Sequence, residues 1–407
     1  MSAYRTLNRT SLWKVESSAG VDPTPTVGSN AVLLEAPKLN PTLQTAETNE
    51  STATLDDRGP IPTGGFAMFE GTAYLHGSGT PETPPEYAAL LKACGMAETI
   101  LGAAVTGTAQ AGAGGTITLA SGASSTNGYY VGMPITTTGG TGSGQTRIIT
   151  GYVGSTKVAT VDAAWDTNPD NTTTYSIPKL VKYAPSSSSL ASVTGYVYSH
   201  RSDGGNSRLH KLLGGVGTFT LGLSVRQPPT LRFQITGALQ APTDVSAPSA
   251  PTLQSTRPYP WIGAVTNLGG ASCKVAEFSV DAGNTVQLVD DPNGTYGYAL
   301  AGITRRRTGG RFVAPSELLS VRDVFTAWAN SSQSKFATRW GSTAGARFAV
   351  TMPAVQYTQP GEIDRDGFGY DDLPFRALGD DLGLIICQYG ERHGRDQRHC
   401  PAGAGRR

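Results

Sequence analysis

The chain has 407 residues, and its 32 lysine and arginine residues against 31 aspartate and glutamate residues give a formal net charge of +1. This balance excludes a global basic field of the kind that attracts nucleic acid. Charged residues make up only 15% of the chain and 51 residues are glycine, which favours β-structure with many turns.

The four cysteines, Cys94, Cys273, Cys387 and Cys400, are far apart and form no Cys-x-x-Cys pair. This spacing argues against a zinc site and against a small disulfide scaffold. No apolar run approaches the roughly 18 residues of a membrane-spanning helix, and the start lacks a signal-peptide core. We therefore expect a soluble protein without a cofactor, made in a reducing cytoplasm.

The first 60 residues are polar and interrupted by prolines, which predicts an arm or long loop, with residues 12–15 and 31–34 as candidate short strands; a disordered terminus is the alternative. A helix is then expected to open at Pro84 and to stop at Gly95, a typical C-cap residue. Its apolar face, which we interpret as core, comprises Tyr87, Leu90, Leu91 and Cys94.

The composition changes near residue 105, where short apolar runs begin to alternate with Gly, Asn-Gly and Asp-Asn turns. We interpret residues 105–178 as an inserted small β-module that projects outward from its host domain. The host, an N-terminal domain, is then discontinuous and comprises residues 1–104 and 179–240.

Residues 217–239 give the clearest pattern in the chain. Phe219 and Leu221 alternate with polar residues before Pro228-Pro229, and Leu231 and Phe233 alternate with polar residues after it. Two period-2 runs joined by a short proline turn predict a β-hairpin with one buried face. Such a hairpin needs a second layer to cover that face.

The second half follows a proline-rich linker at residues 241–260 and forms a C-terminal domain at residues 261–389. Its expected helix spans residues 316–330, with Ser316 as N-cap. The predicted apolar stripe of this helix is Leu318, Val321, Phe325 and Trp328. Residues 390–407 are polar and basic, which predicts a disordered tail.

Each half repeats the order extended run, proline-led helix, then strands, which we interpret as a tandem duplication of one domain. The predicted fold class is therefore mainly β. It consists of two β-sandwich or barrel-like domains, each with one flanking helix, plus the inserted module.

No catalytic, cofactor or metal site is evident. Residues 139–146 imitate a phosphate-binding loop, but Gln145 replaces the lysine and a strand follows instead of a helix. His200 and His210 lack a third metal ligand. A further acidic cluster misses the EF-hand spacing and is interpreted as a solvated turn; it comprises Asp364, Asp366, Asp371 and Asp372.

Arg305, Arg306 and Arg307 end a predicted strand, and Arg311 follows. Arginine clusters of this kind bind phosphate or form salt bridges between subunits. We take these four residues as candidate inter-subunit contacts, with phosphate contact as the alternative.

Four segments resemble the major tail tube proteins of long-tailed (siphovirus-like) bacteriophages, over roughly residues 5–102 and 180–388. These segments are TLNRTSLWKVESSAGVDPTPT, PEYAALLKACGMAET, HKLLGGVGTFTLGLSVRQPPTLRFQITGAL and VAEFSVDAGNTVQLVDDPNG. The inserted module and the basic tail depart from the family pattern.

The resemblance implies a structural, non-enzymatic virion protein that polymerises into stacked rings, assembled in the host cytoplasm and located in the virion tail. Its implied partners are other copies of itself, a tape-measure protein, and the tail terminator and distal tail proteins. DNA would pass through the lumen without specific binding, and no membrane is involved. Duplication within a six-domain ring implies trimeric, pseudo-hexameric rings, with hexameric rings as the alternative.

Two rival functions remain from the residues alone. A secreted or virion-surface carbohydrate-binding protein or adhesin is motivated by the module's aromatic residues Tyr129, Tyr130, Tyr152 and Trp165. A depolymerase that uses spatially paired acids is the other. Ring formation, glycan affinity or turnover of host polysaccharide would distinguish the three.

Overall fold

The computed structural model describes residues 4–51, 53–56 and 58–390, without the side chains of residues 5 and 6. Within these residues the protein is mainly β, with 27 strands and two short helices, which confirms the predicted fold class. The predicted basic tail, apart from Gly390, and Cys400 lie outside the described residues.

The elements in chain order are as follows. The chain opens with β1 (Tyr4–Val15), β2 (Glu35–Ala46), β3 (Ile61–Tyr74), α1 (Ala88–Ala93) and β4 (Met96–Leu101). The inserted segment contains β5 (Val105–Thr108), β6 (Ala111–Ala113), β7 (Thr116–Thr118), β8 (Pro134–Gly139), β9 (Thr146–Val153), β10 (Val158–Val161) and β11 (Thr174–Ile177). The first half resumes with β12 (Leu180–Pro185), β13 (Val193–Arg201), β14 (Ser207–Ser224), β15 (Thr230–Leu239) and β16 (Thr243–Val245).

The second half contains the remaining elements. They are β17 (Val265–Leu268), β18 (Ala271–Ser272), β19 (Glu277–Asp281), β20 (Asn284–Asp290), β21 (Tyr298–Arg306), β22 (Gly309–Pro315), α2 (Val324–Ala329), β23 (Gln333–Trp340), β24 (Arg347–Tyr357), β25 (Gly361–Arg365), β26 (Phe368–Leu378) and β27 (Ile385–Tyr389).

Eight strands form one antiparallel series that crosses both halves, and we call it the front sheet. Its order is β2-β3-β15-β14-β19-β22-β26-β25. The hairpin predicted at residues 217–239 lies within it, with Phe219 opposite Phe233 and Leu221 opposite Leu231. All four of these side chains are buried, so the predicted hairpin and its buried face are confirmed.

A second layer covers the buried face of the front sheet. It contains the series β17-β23-β24-β27-β12-β4 and, beside it, β1 paired with β13. Trp13 of β1 lies 4.4 Å from Phe69 of β3 between ring centroids, and Phe336 of β23 lies 4.7 Å from Phe312 of β22. Each half therefore has an aromatic core between two layers, as in a β-sandwich.

The N-terminal region differs from the predicted arm, because Tyr4–Val15 is a full strand paired with β13. Leu12 packs with Tyr196 and Leu209, whereas Trp13 packs in the main core. Since successive strand residues point to opposite faces and both faces are covered here, no apolar–polar alternation appears in the sequence.

The first helix is confirmed but begins at Ala88, four residues after the predicted Pro84, and the second is largely wrong. The face of α1 is buried as predicted, and Gly95 adopts φ +73° directly after the helix. In contrast, α2 begins only at Val324, and its N-cap is Asp323, not Ser316. The guanidinium of Arg322 holds the preceding segment as a turn, because it donates to Asp371 and to the Pro315 carbonyl. Among the described residues, neither helix has the length and apolarity needed to cross a membrane.

The inserted segment forms its own seven-stranded sheet, in the order β5-β11-β8-β9-β10-β7-β6. Its core, however, continues into the body, because it includes Ile385 and Cys387 of β27. Asn267 Nδ2 donates to the buried Asp162 carboxylate at 2.6 Å, and Lys335 donates to the Val161 carbonyl. The module leaves the first half but packs on strands of the second half, so it also ties the two halves together.

Lys182 of β12 lies buried under this module. Its ammonium donates to the carbonyl oxygens of Tyr129 at 2.6 Å and Val131 at 3.4 Å. Burial lowers the pKa of Lys182 to about 8, because the charged form is poorly solvated there.

Replacement of Lys182 should remove a pH-dependent contribution to the free energy of unfolding. In the unfolded chain the pKa of Lys182 is near its ordinary value of about 10.4. Between the folded-state pKa and that value, the unfolded state binds more protons than the native state. The native state therefore gains stability as the pH rises. We expect wild type to gain roughly 1–2 kcal/mol relative to Lys182→Met between pH 7 and 9.5. Urea denaturation of both proteins at each pH measures this, and a constant difference across that range would contradict it.

Candidate assembly surface

The two halves join through backbone pairing between β14 and β19. Five residue pairs form this junction, from Thr220 opposite Asp281 to Ser224 opposite Glu277. Buried Leu223 lies opposite buried Phe278, so the hydrophobic core is continuous across the junction. Thr218 Oγ1 also donates to Asp281 Oδ1 at 3.1 Å.

The front sheet ends in two strands that each pair with a single strand among the described residues. At one end β2 pairs only with β3, and at the other β25 pairs only with β26. Their outer backbone groups form open sheet edges, which bind other strands unless they are protected. Pro37, Lys38 and Pro41 on β2 oppose indiscriminate pairing, because proline lacks an N–H and lysine keeps its charge in water.

Each half also has a long hairpin that extends beyond the front sheet. In the first half it is the β2–β3 hairpin, and in the second it is the β20–β21 hairpin, inserted between β19 and β22. The second hairpin lies on the first half: Gly65 N donates to the Tyr296 carbonyl at 3.0 Å, and Tyr298 OH donates to Gln44 Oε1 at 2.9 Å.

The halves therefore correspond strand by strand in the front sheet. The sets β2-β3-β15-β14 and β19-β22-β26-β25 have the same order, and a six-residue helix follows β3 in one and β22 in the other. In this correspondence β25 matches the end of β14, and β2 matches β19. The two strands of the β14–β19 junction therefore both have a counterpart at an open edge of the sheet: β25 for β14, and β2 for β19.

Arg306 lies at the boundary between the halves. Its guanidinium donates to the carbonyl oxygens of Gly95 at 3.0 Å and Ser186 at 2.8 Å, and it pairs with Asp381 at 3.3 Å. A side chain at Gly95 would come within 2.7 Å of this guanidinium, so glycine permits both the left-handed backbone and the close approach. Arg306 is therefore used within the chain.

The other three candidate arginines have different surroundings. Arg311 on β22 pairs with Asp372 on β26 at 2.7 Å between Nε and Oδ1. Arg305 and Arg307 are exposed. The structure thus does not gather the four arginines into one cluster, and their role between subunits stays a prediction.

The sequence motifs that imitate chemical sites have structural partners. Gln145 donates to the carbonyl oxygens of Gly142 and Thr167, and the loop joins strands β8 and β9. The two nitrogens of His200 bond to the hydroxyl groups of Thr10 and Ser207, each at 2.8 Å. Gln145 and His200 therefore make contacts within the fold.

The structure divides the acidic cluster: Asp364 and Asp366 are exposed at the turn between β25 and β26, whereas Asp371 and Asp372 contact other side chains. Asp371 accepts hydrogen bonds from Ser316 and Arg322, and Asp372 pairs with Arg311. Cys94, Cys273 and Cys387 are free thiols. Within the part of the chain that the structure describes, no three metal-ligating side chains come together.

The aromatic residues of the module offer no exposed platform for a sugar ring. Tyr130, Tyr152 and Trp165 are buried in the module core. Tyr129 contacts Tyr130 edge-on at 4.9 Å between centroids, and Lys182 lies over its ring. These side chains therefore stabilise the module.

A family model described as phage tail tube protein matches residues 6–377, which covers nearly all of both halves and the module. No curated protein matches the chain.

Arg306 and Arg305 give a matched pair of substitutions for testing whether Arg306 stabilises the boundary between the halves. We expect Arg306→Ala to lower the free energy of unfolding by about 2–3 kcal/mol, because two carbonyl oxygens and Asp381 lose a partly buried charged partner. Arg305→Ala should change it by less than about 0.5 kcal/mol, since Arg305 is exposed. Chemical denaturation of the monomer measures both, and equal effects would refute the assignment of Arg306 to the interface between the halves.

Proposed function

The chain belongs to the phage tail tube protein family, and we propose that it polymerises into stacked rings that form the conduit for ejection of genomic DNA. It is a structural protein of the virion tail by family. In this proposal assembly takes place in the host cytoplasm, and no catalytic step is needed.

The open edges of the front sheet are the observation that supports the proposal most strongly. Because β25 corresponds to the end of β14 and β2 to β19, pairing β25 with β2 of the next copy would repeat the β14–β19 junction between chains. A head-to-tail contact of this kind closes into a ring when the rotations sum to a full turn. Closure also removes the open edges, which are aggregation hazards in a free subunit.

The hairpins support the same arrangement. Since the β20–β21 hairpin lies on the first half of its own chain, the corresponding β2–β3 hairpin is expected to lie on the second half of the preceding copy. The β2–β3 hairpin would thereby be covered, as the β20–β21 hairpin already is within the chain. Exposed Leu43 is one side chain that would be covered.

The internal correspondence also bears on stoichiometry. Each chain supplies two four-stranded units to the front sheet, so a ring of six units needs three chains with pseudo-sixfold symmetry. A tandem duplication of one tube domain is the origin that we infer for this correspondence. Six chains per ring, with the second half as a decoration, is the alternative.

The face of the front sheet that points away from the core is the proposed lumen wall. Polar side chains on it contact one another: Arg311 is paired with Asp372, and Gln234 donates to Glu70 at 3.3 Å. A wall whose charges are matched within the protein attracts phosphate weakly, so DNA would slide without specific binding. The module, on the second layer, would then lie on the outer wall.

The remaining partners follow from membership of the family. We assign a tape-measure protein to the lumen before DNA enters, and the tail terminator and distal tail proteins to the two ends of the tube. No membrane partner is part of this proposal.

Ring stoichiometry tests the proposal. We expect purified protein to form rings or tubes in electron micrographs, and native mass spectrometry of isolated rings to give a mass of three chains, each of 42.4 kDa. Six chains per ring would refute the pseudo-hexamer but leave the tube function in place. Monomers that never associate at high concentration would refute the function itself.

A further inference from the structure

Exposed apolar side chains are concentrated on and just before α2. This apolar patch consists of Leu318, Leu319, Val321, Phe325 and Trp328, whose exposed fractions run from 41% to 75%. Among the described residues, five of the 21 large exposed apolar side chains thus fall within 11 positions of the chain. Scattered apolar residues are normal on a protein surface, whereas such a concentration marks a contact surface.

The corresponding segment of the first half is covered. Leu90 and Leu91 of α1 are fully buried against β1, β4, β13 and β14 of the same half. The chain before α1, which corresponds to the part of the patch before α2, lies against the second half. Gly79 N donates to the Gly345 carbonyl at 3.3 Å, and Gln388 Nε2 donates to the carbonyl oxygens of Thr80 and Thr83 at 3.0 and 3.1 Å.

The correspondence between the halves identifies what should cover the patch. Gly345 lies in the turn between β23 and β24, and Gln388 lies on β27. The β13–β14 hairpin of the first half matches the β23–β24 hairpin, so the counterpart of the turn that holds Gly345 is the turn at 202–206. Strand β16 pairs with β14 as β27 pairs with β24, so the counterpart of β27 is β16. In the proposed ring, the first half that follows the patch is that of the next chain, so the turn 202–206 and β16 of the next chain would face the patch.

We propose that the apolar patch docks on the first half of the next copy in the ring, at the turn 202–206, β16 and the adjoining start of β1. This proposal rests on the proposed ring and adds a second contact, in the outer layer, to the β25–β2 edge pairing. The receiving surface has apolar groups of its own, because Leu7 is 97% exposed and Tyr4 is 40% exposed. Tyr4 is placed beside the turn by its pairing with Arg201.

Polar substitution of the patch separates this contact from folding. Val321→Ser, alone and with Leu318→Ser, should leave the monomer's melting temperature unchanged, because both side chains are at least two-thirds exposed. The double variant should lower the fraction of protein in rings by roughly tenfold or more, since it removes apolar area buried at every subunit contact. Val153→Ser, the matched control in the module, should assemble as wild type does.

A photo-crosslinker identifies the occupant directly. We expect Phe325→p-benzoylphenylalanine in assembled rings to crosslink to residues 4–8, 202–208 or 243–245 of another chain, as mapped by mass spectrometry. Crosslinks to the β2–β3 hairpin, to another ring or to a different protein would overturn the proposal, as would normal assembly of the double variant. If wild-type protein forms no rings, the proposed function fails and the inference with it; if wild type and variant both form rings, only the inference fails.

Discussion

Backbone pairing between β14 and β19 is the interaction on which the arrangement of the molecule depends. It aligns two four-stranded units into one front sheet, and it places Leu223 and Phe278 in a continuous core. Once that junction exists, the β20–β21 hairpin lies on the first half and Arg306 reaches the carbonyl oxygens of Gly95 and Ser186. The same junction leaves β2 and β25 as the two ends of the sheet, where each strand has a paired strand on one side only among the described residues.

The sequence predicted those elements in which one face is buried and the other is in water. Phe219 and Leu221 alternate with threonine and glycine because only one face of that hairpin meets the core. The mainly β class and the separate sheet of residues 105–177 followed from turn chemistry in the same way. Of the strand at Tyr4–Val15, only residues 12–15 were a candidate from the sequence, because Leu12 and Trp13 are covered on opposite faces and produce no alternation.

Long-range partners were beyond the sequence pattern. Nothing near Arg306 in the chain shows that Gly95, Ser186 and Asp381 surround it, so its arginine cluster was interpreted only as a contact surface. The α2 stripe illustrates the converse. Its periodicity predicted an apolar stripe that a sheet would cover, but Arg322 and Asp323 shorten the helix, and within the described residues the stripe stays exposed. Apolar periodicity predicts which face of a helix is suited to burial, but it does not predict which surface covers that face.

Amide hydrogen exchange before and after assembly tests most directly whether the junction inside the chain is repeated between chains. The account predicts that the amides of β2 and β25 exchange slower by roughly tenfold or more in the tube, because they enter a ladder that the monomer lacks. The amides of residues 220–224 and 277–281 should be protected in both states, since they already form that ladder. Unchanged exchange at either open edge on assembly would contradict it.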